Sequence, residues 1–296
     1  MAVISVPRAV LRPNEARRPR DTWWRRTLRS RLALPAGIIV LIAILAALFA
    51  NAIAPYDPLY QDYNSVLVPP SHAHLLGTDD IGRDVLSRII YGARISLSVG
   101  LVAVAIALIV GVPFGLVAAY YGGWVDDVLM RVTDAVISIP ALVLALSITV
   151  ALRPGLTNVM AAIGIVYTPA FARLARGEAL SIREQEYVNA ARVIGVRPWR
   201  MMLVHILPNV TSPIIVLASL RVASAIVTEA SLSFLGAGVP PPAASWGGML
   251  KTSYQYTETA PWLAIMPGLA IFITVMAINI LGDGLRGALD PRLRGR

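Results

Sequence analysis

Uncharged apolar runs recur along the chain, and they reach or approach the roughly 20 residues that a helix needs to cross a bilayer. Six can be placed. The first runs from Leu32 to Ala54 and the second from Ile95 to Tyr121, the latter long enough to span with some tilt. The third is cleanest from Ala135 to Leu152, just after Arg131 and Asp134, and the fourth covers about Gly155 to Ala172. The fifth lies between about Pro208 and Leu235 and carries Arg221 and Glu229, whereas the sixth, Ala260 to Gly282, is uncharged throughout. The pattern predicts an all-α membrane protein with six transmembrane helices, which puts both termini on one side.

Which side follows from the arginines, because cytoplasmic flanks are enriched in Lys and Arg. With the amino terminus inside, the inner segments hold twenty basic residues and the outer loops four. The first outer loop, Pro55 to Gly92, is acidic, with Asp57, Asp62, Asp79, Asp80 and Asp84. Both termini are therefore expected in the cytoplasm. Residues 1–31 read as a cytoplasmic Arg- and Pro-rich tail without apolar periodicity, ordered only where Trp23 and Trp24 reach the headgroups. Its arginines before an apolar run also resemble a signal peptide with a cleavage site near Ala50 and Ala52, but the run is too long and predicts an uncleaved helix.

Composition sharpens this picture: 56% of residues are hydrophobic and only 15% charged, a poor match to a soluble core. The net charge of +9 is accounted for by sidedness and by attraction to anionic lipid, so no nucleic-acid partner is expected. The absence of cysteine excludes disulfides, thiol catalysis and thiolate metal sites.

Two polar stretches carry further pattern. In GTDDIGRDVLSRIIYGARISL, Val85, Leu86, Ile89 and Ile90 share a helical face opposite Arg83, Asp84 and Ser87, which predicts an interfacial helix, either a collar for a partner or a lid on the bundle. In RLARGEALSIREQEYVNAARVIGVRPWRMMLVHILPNV, Ser181 and Glu184 have capping-box spacing, and Gly195 suits the left-handed residue after a helix. The expected helix is about Ile182 to Ile194. Tyr187, Ala190, Ala191 and Ile194 fall on one face, with Arg183, Glu186 and Arg192 off it. Pro198 suits the first turn of another helix. Paired alanines allow close approach of a second surface; a docking surface and a helix lying on the headgroups are both open readings.

This stretch resembles the EAA signature of ABC importer permeases, in which Glu-Ala-Ala is followed after three residues by Gly and after nine more by Ile-x-Leu-Pro. Ala190, Ala191, Gly195, Leu207 and Pro208 match, while Asn189 stands where Glu is usual and His205 where Ile is usual, the latter as in the peptide branch. Further stretches resemble the dipeptide, oligopeptide and nickel branch in chain order: GTDDIGRDVLSRIIYGARISL, GGWVDDVLMRVTD, EASLSFLGAG with AASWGGML, APWLAIMPGLAIF and LGDGLRGALDPRLR. The resemblance covers about Pro55 to Arg294 and is to the second permease of peptide systems. It implies a type I ABC importer permease-like fold over residues 32–296, with a cytoplasmic coupling loop at 173–203. It also implies a second homologous permease, two ATPase subunits or one fused pair, and an extracytoplasmic substrate-binding protein, all at the bacterial plasma membrane. Coupling to the ATPase would fall to Glu186, Tyr187, Asn189, Ala190, Ala191, Arg192 and Gly195. Asn189 removes any ion pair from that position, leaving Glu186 or Arg192 for the polar part of the contact.

The chain itself carries no phosphate-cradling loop, since its single lysine, Lys251, is followed by Thr252 but preceded by Leu250. ATP and Mg would thus be bound by partner subunits, and no cofactor or enzyme activity is expected of this chain. His72, His74 and His205 do not make a metal site. The rival reading is an ion-coupled secondary transporter or channel using Arg221, Glu229 and Asp134, because ionisable residues inside membranes default to function. In the importer reading the same three residues would border the translocation path. Arg221 would be the cavity charge there, meeting a peptide carboxylate through its planar fork. The proline-rich loop from Gly236 to Thr259 would face the binding protein, plug its site or cap the helix ends.

Overall fold

A computed structural model describes residues 32–289; the tail with Trp23 and Trp24 and the last arginines lie outside the described residues. The described part is all helical. Helix α1 (Ala33–Leu48) and the short α2 (Ala50–Ile53) meet at Phe49. After a long loop come α3 (Val85–Tyr121), α4 (Gly123–Ile137), α5 (Ala141–Leu152) and α6 (Leu156–Arg183). The short α7 (Glu186–Val193) leads into α8 (Pro198–Phe234), then α9 (Trp246–Ser253) and α10 (Trp262–Leu289).

Four of these, α3, α6, α8 and α10, are long and apolar enough to cross a membrane. The third apolar run is not one straight helix. It divides into α4 and α5, bent by 89° at Ser138–Pro140, where proline has no N–H to donate and drives the residue before it out of helical geometry. Counting that pair as one span gives five. Helix α1, at 16 residues, is about 24 Å long and shorter than a full span.

The separate interfacial helix expected at Val85–Ile90 does not form. Asp84 caps α3 by accepting from the Ser87 N–H at 2.8 Å, and the helix then runs unbroken for 37 residues. Its burial is also turned from the expected face: Arg83, Asp84, Ser87 and Arg88 are buried with Val85. Periodicity assigned the charges outward. They are instead satisfied inside, Arg83 and Arg88 against Asp79 and the Pro58 carbonyl, and Asp84 against Ser87 and His74.

The main core is built by α3, α6 and α8, with α3 and α6 the most extensive helix pair. Glycines set their distance: a Cβ on Gly111 would stand 2.5 Å from the Thr168 carbonyl oxygen, and one on Gly115 would stand 2.2 Å from that of Ala172. These glycines are four apart, the small-residue spacing that lets membrane helices approach backbone to backbone. Near the start of α3, Trp246 of α9 is buried and donates from Nε1 to the Ile89 carbonyl at 3.0 Å.

Candidate functional site

The element expected to couple to an ATPase is α7 and the turn that follows it. Its start differs from the sequence expectation. Ser181 and Glu184 form no capping box, because α6 continues through Arg183 and the Ser181 hydroxyl donates back to the Glu178 carbonyl at 3.2 Å. Helix α7 starts instead at Glu186, after an extended Gln185. Its end is as expected. Gly195 has φ +80°, with the Gly195 N–H on the Arg192 carbonyl (3.0 Å) and the Val196 N–H on the Ala191 carbonyl (3.1 Å). That pair of bonds is the Schellman motif. Glu186 in the first turn and Arg192 in the last both suit the helix dipole.

The two alanines do not share a surface. Val188 and Ala191 point into the main core, Ala191 being only 7% exposed, while Ala190, Tyr187, Glu186, Asn189 and Arg192 are exposed. The free apolar area is supplied by Val193 and Ile194, 87% and 80% exposed, with Tyr187 beside them. The rotation has a simple cause: α7 is too short to stand alone and buries its best-fitting apolar residue, Val188, against the bundle. Behind it the chain enters α8 through a π-helical stretch, Met201–Ile206, just before Pro208, which has no N–H to return to the preceding turn. Asn209 Nδ2 donates both to the His205 carbonyl (2.8 Å) and to the Tyr187 hydroxyl (3.0 Å), tying α7 to that stretch.

A second feature lies in the bend between α4 and α5. There a cavity of about 630 Å³ opens against α6 and α8, walled by apolar residues such as Val136, Ile139, Val166 and Leu217 and by two arginines, Arg173 and Arg221. Arg173 is paired with Asp134. Arg221 has no carboxylate partner among the described residues, and its guanidinium lies over the Tyr167 ring, 5.0 Å from the centroid. The Tyr167 hydroxyl is fixed by a 2.9 Å hydrogen bond with Thr228. Placing an arginine near the middle of a membrane helix costs roughly 3 kcal/mol, so such a residue marks function by default.

The three ionisable residues read as pathway groups are not brought together. Asp134 sits with Arg173 at the cavity edge and Arg221 on the cavity wall. Glu229 is elsewhere: fully buried, it accepts from Ser233 Oγ at 2.7 Å and from Ser96 Oγ at 3.4 Å, in the packing of α8 on α3. Eight residues along α8 turned Glu229 to a different neighbour. No continuous relay joins the three, which is the arrangement that an ion-coupled carrier would use. Tyr167, Arg173 and Asn209 were not singled out by sequence pattern; each acts through a residue far along the chain, and no local spacing announces that. Among the described residues no group of three His, Asp or Glu side chains could hold a metal.

Comparison with known proteins agrees with this geometry. Residues 111–295 match a family described as the binding-protein-dependent transport system inner membrane component. Residues 19–70 match the N-terminal transmembrane domain of oligopeptide transport permease C. The chain is 44% identical over 286 residues to a glutathione transport system permease protein of Pectobacterium atrosepticum, covering 96% of this chain and 95% of that one. To the protein of the same description from Escherichia coli O6:K15:H31 it is 43% identical over 287 residues, covering 97% and 95%. Among solved structures, a chain of the inward-facing MetNI methionine ABC transporter is similar in fold, with TM-score 0.57 and 18% identity over 69% of this chain and 96% of that one.

Proposed function

The chain belongs to the family of binding-protein-dependent transport system inner membrane components, and from that premise we propose that it forms, with a second homologous permease, the path by which small peptides cross the bacterial plasma membrane. The observation that carries this reading is the 44% identity to a glutathione transport system permease over almost the whole length of both chains. Glutathione, a modified tripeptide, and other di- or oligopeptides are the cargo class. ATP and Mg are bound by two ATPase subunits or one fused pair, and an extracytoplasmic binding protein delivers the solute.

In this reading the membrane domain comprises residues 32–296, with six spans and both termini inside. The bent α4–α5 pair is the third span, α1 with α2 the first, and residues 1–31 a cytoplasmic tail. The coupling loop at 173–203 presents Glu186, Tyr187, Asn189, Ala190, Arg192, Val193 and Ile194 to the ATPase, with Ala191 and Gly195 holding α7 in place. ATPase closure displaces α7, Tyr187 and Asn209 pass the movement to α8, and the cavity beside Arg221 alternates between outer and inner access. Support for this route comes from the exposed Val193 and Ile194 on a helix whose other face is anchored in the core.

The test is reconstitution in proteoliposomes. Uptake of labelled glutathione is expected only when the second permease, the ATPases, the binding protein and ATP are all present. Solute flux down its gradient through this chain alone would overturn the reading in favour of a channel or secondary carrier.

A further inference from the structure

Arg221 lies 14 residues past Leu207 and 13 before Phe234, so each end of that helical stretch is about 20 Å away. This is the depth at which a passing solute has least access to bulk water. The cavity wall around it is apolar, and the other arginine there, Arg173, already has Asp134. Glu229, the one carboxylate on the same helix, is buried among serines on another face. The guanidinium meets Tyr167 through the ring face, and Thr228 holds that ring in place. Among the described residues Arg221 has no hydrogen bond or ion pair beside this ring contact, which leaves its N–H donors unspent.

A cation with free donors, at mid-membrane depth and in an apolar cavity, lacks one thing: an anion that arrives and leaves. Resting on the permease reading above, we propose that Arg221, oriented by Tyr167, is a transient binding site for the carboxylate of the transported peptide. A carboxylate fits the fork bidentately. The contact with Tyr167 holds the guanidinium at the cavity wall while the site is empty. The site therefore favours solutes with a free carboxylate over solutes of equal size that lack one, independently of what the binding protein selects.

The chain has no cysteine, which permits a charge-exchange experiment on the complete transporter. Arg221→Cys is assembled with its partner subunits in proteoliposomes. ATP-driven uptake of labelled glutathione is measured before and after reaction with a methanethiosulfonate carrying either an ammonium or a sulfonate, the wild-type complex receiving both reagents as control. Uptake is expected to fall on the order of tenfold or more in Arg221→Cys, the scale of one lost charge-assisted contact. It should recover substantially with the ammonium reagent and stay low with the sulfonate, while the second permease copurifies normally. Equal responses to the two reagents would overturn the proposal, since volume and not charge would then matter. Loss of the second permease from the Arg221→Cys complex would also overturn it, by assigning the guanidinium to an ion pair between subunits. Failure of the wild-type complex to transport at all would strike the permease reading instead, so the two failures are distinguishable.

Discussion

Gly195 closes α7 at φ +80°, with nothing within 4 Å of the place where a Cβ would sit. Bulk is therefore tolerated there and backbone conformation is not. Alanine at a left-handed position costs about 1 kcal/mol and a β-branched residue more. Gly195→Val is expected to loosen the Schellman turn and uncouple ATP hydrolysis from uptake, whereas Gly195→Asn, which accepts that conformation, should retain coupling. The measurement is the ratio of ATP hydrolysed to solute transported. Asp80, in the loop before α3, illustrates the opposite balance. Its Oδ1 is buried without a hydrogen-bond partner. Burial first, and Asp79 next, push its pKa above the ordinary carboxylate value, with Arg83 opposing. A raised carboxylate binds its proton more readily folded than unfolded. Its penalty is thus present at neutral pH and is relieved as pH falls through the raised value towards the unfolded one. Asp80→Asn is expected to have a slightly higher Tm than wild type at neutral pH, and the gap should narrow as the pH is lowered towards the ordinary carboxylate range. A gap that widens would contradict the stated direction.

At the scale of elements, the glycines of α3 act through distance. Gly115 lies against the α6 backbone at Ala172, so Gly115→Leu must push apart the pair that carries the main core, whereas Gly177, exposed on α6, faces open space. Overpacking of this kind costs about 1–3 kcal/mol or more. Gly115→Leu should lower the Tm in detergent by several degrees and Gly177→Ala should not; equal effects would remove the close-packing argument. The same elements show what can be read from a chain and what cannot. Each apolar run proved helical because length and lack of charge are local properties, and the positive φ at Gly195 was legible because few residues but glycine adopt it. The third run reads as one uninterrupted span, so neither the break at Pro140 nor its 89° angle was legible from length and lack of charge. Arg83, Asp84 and Ser87 were assigned outward because periodicity takes charge for exposure; partners outside the helix, His74 for Asp84 and the Tyr56 N–H for Ser87, reverse that. The contact of Arg221 with Tyr167 spans 54 positions and has no local signal.

At the scale of the whole molecule, α7 has one face in the core and one exposed, and the proposed coupling role assigns folding to the first and docking to the second. Ala191 and Val188 belong to this chain's own core, so their environment is complete without any partner. Val193 and Ile194 are among the most exposed large apolar side chains described, and in the proposed reading they are the surface that meets the ATPase. Ala191→Leu is accordingly expected to destabilise the permease itself through overpacking, lowering its Tm whether or not an ATPase is present. Ile194→Glu should leave that Tm unchanged, because the side chain remains in solvent. If α7 docks on the ATPase as proposed, the same glutamate is buried there without a cation of its own, a penalty of several kcal/mol. Copurification of the ATPase is then expected to drop by at least tenfold. If Ile194→Glu retained the ATPase while Ala191→Leu lost it without a change in Tm, the docking face would be the one that now packs on the bundle, and α7 would have to rotate before the importer assembles.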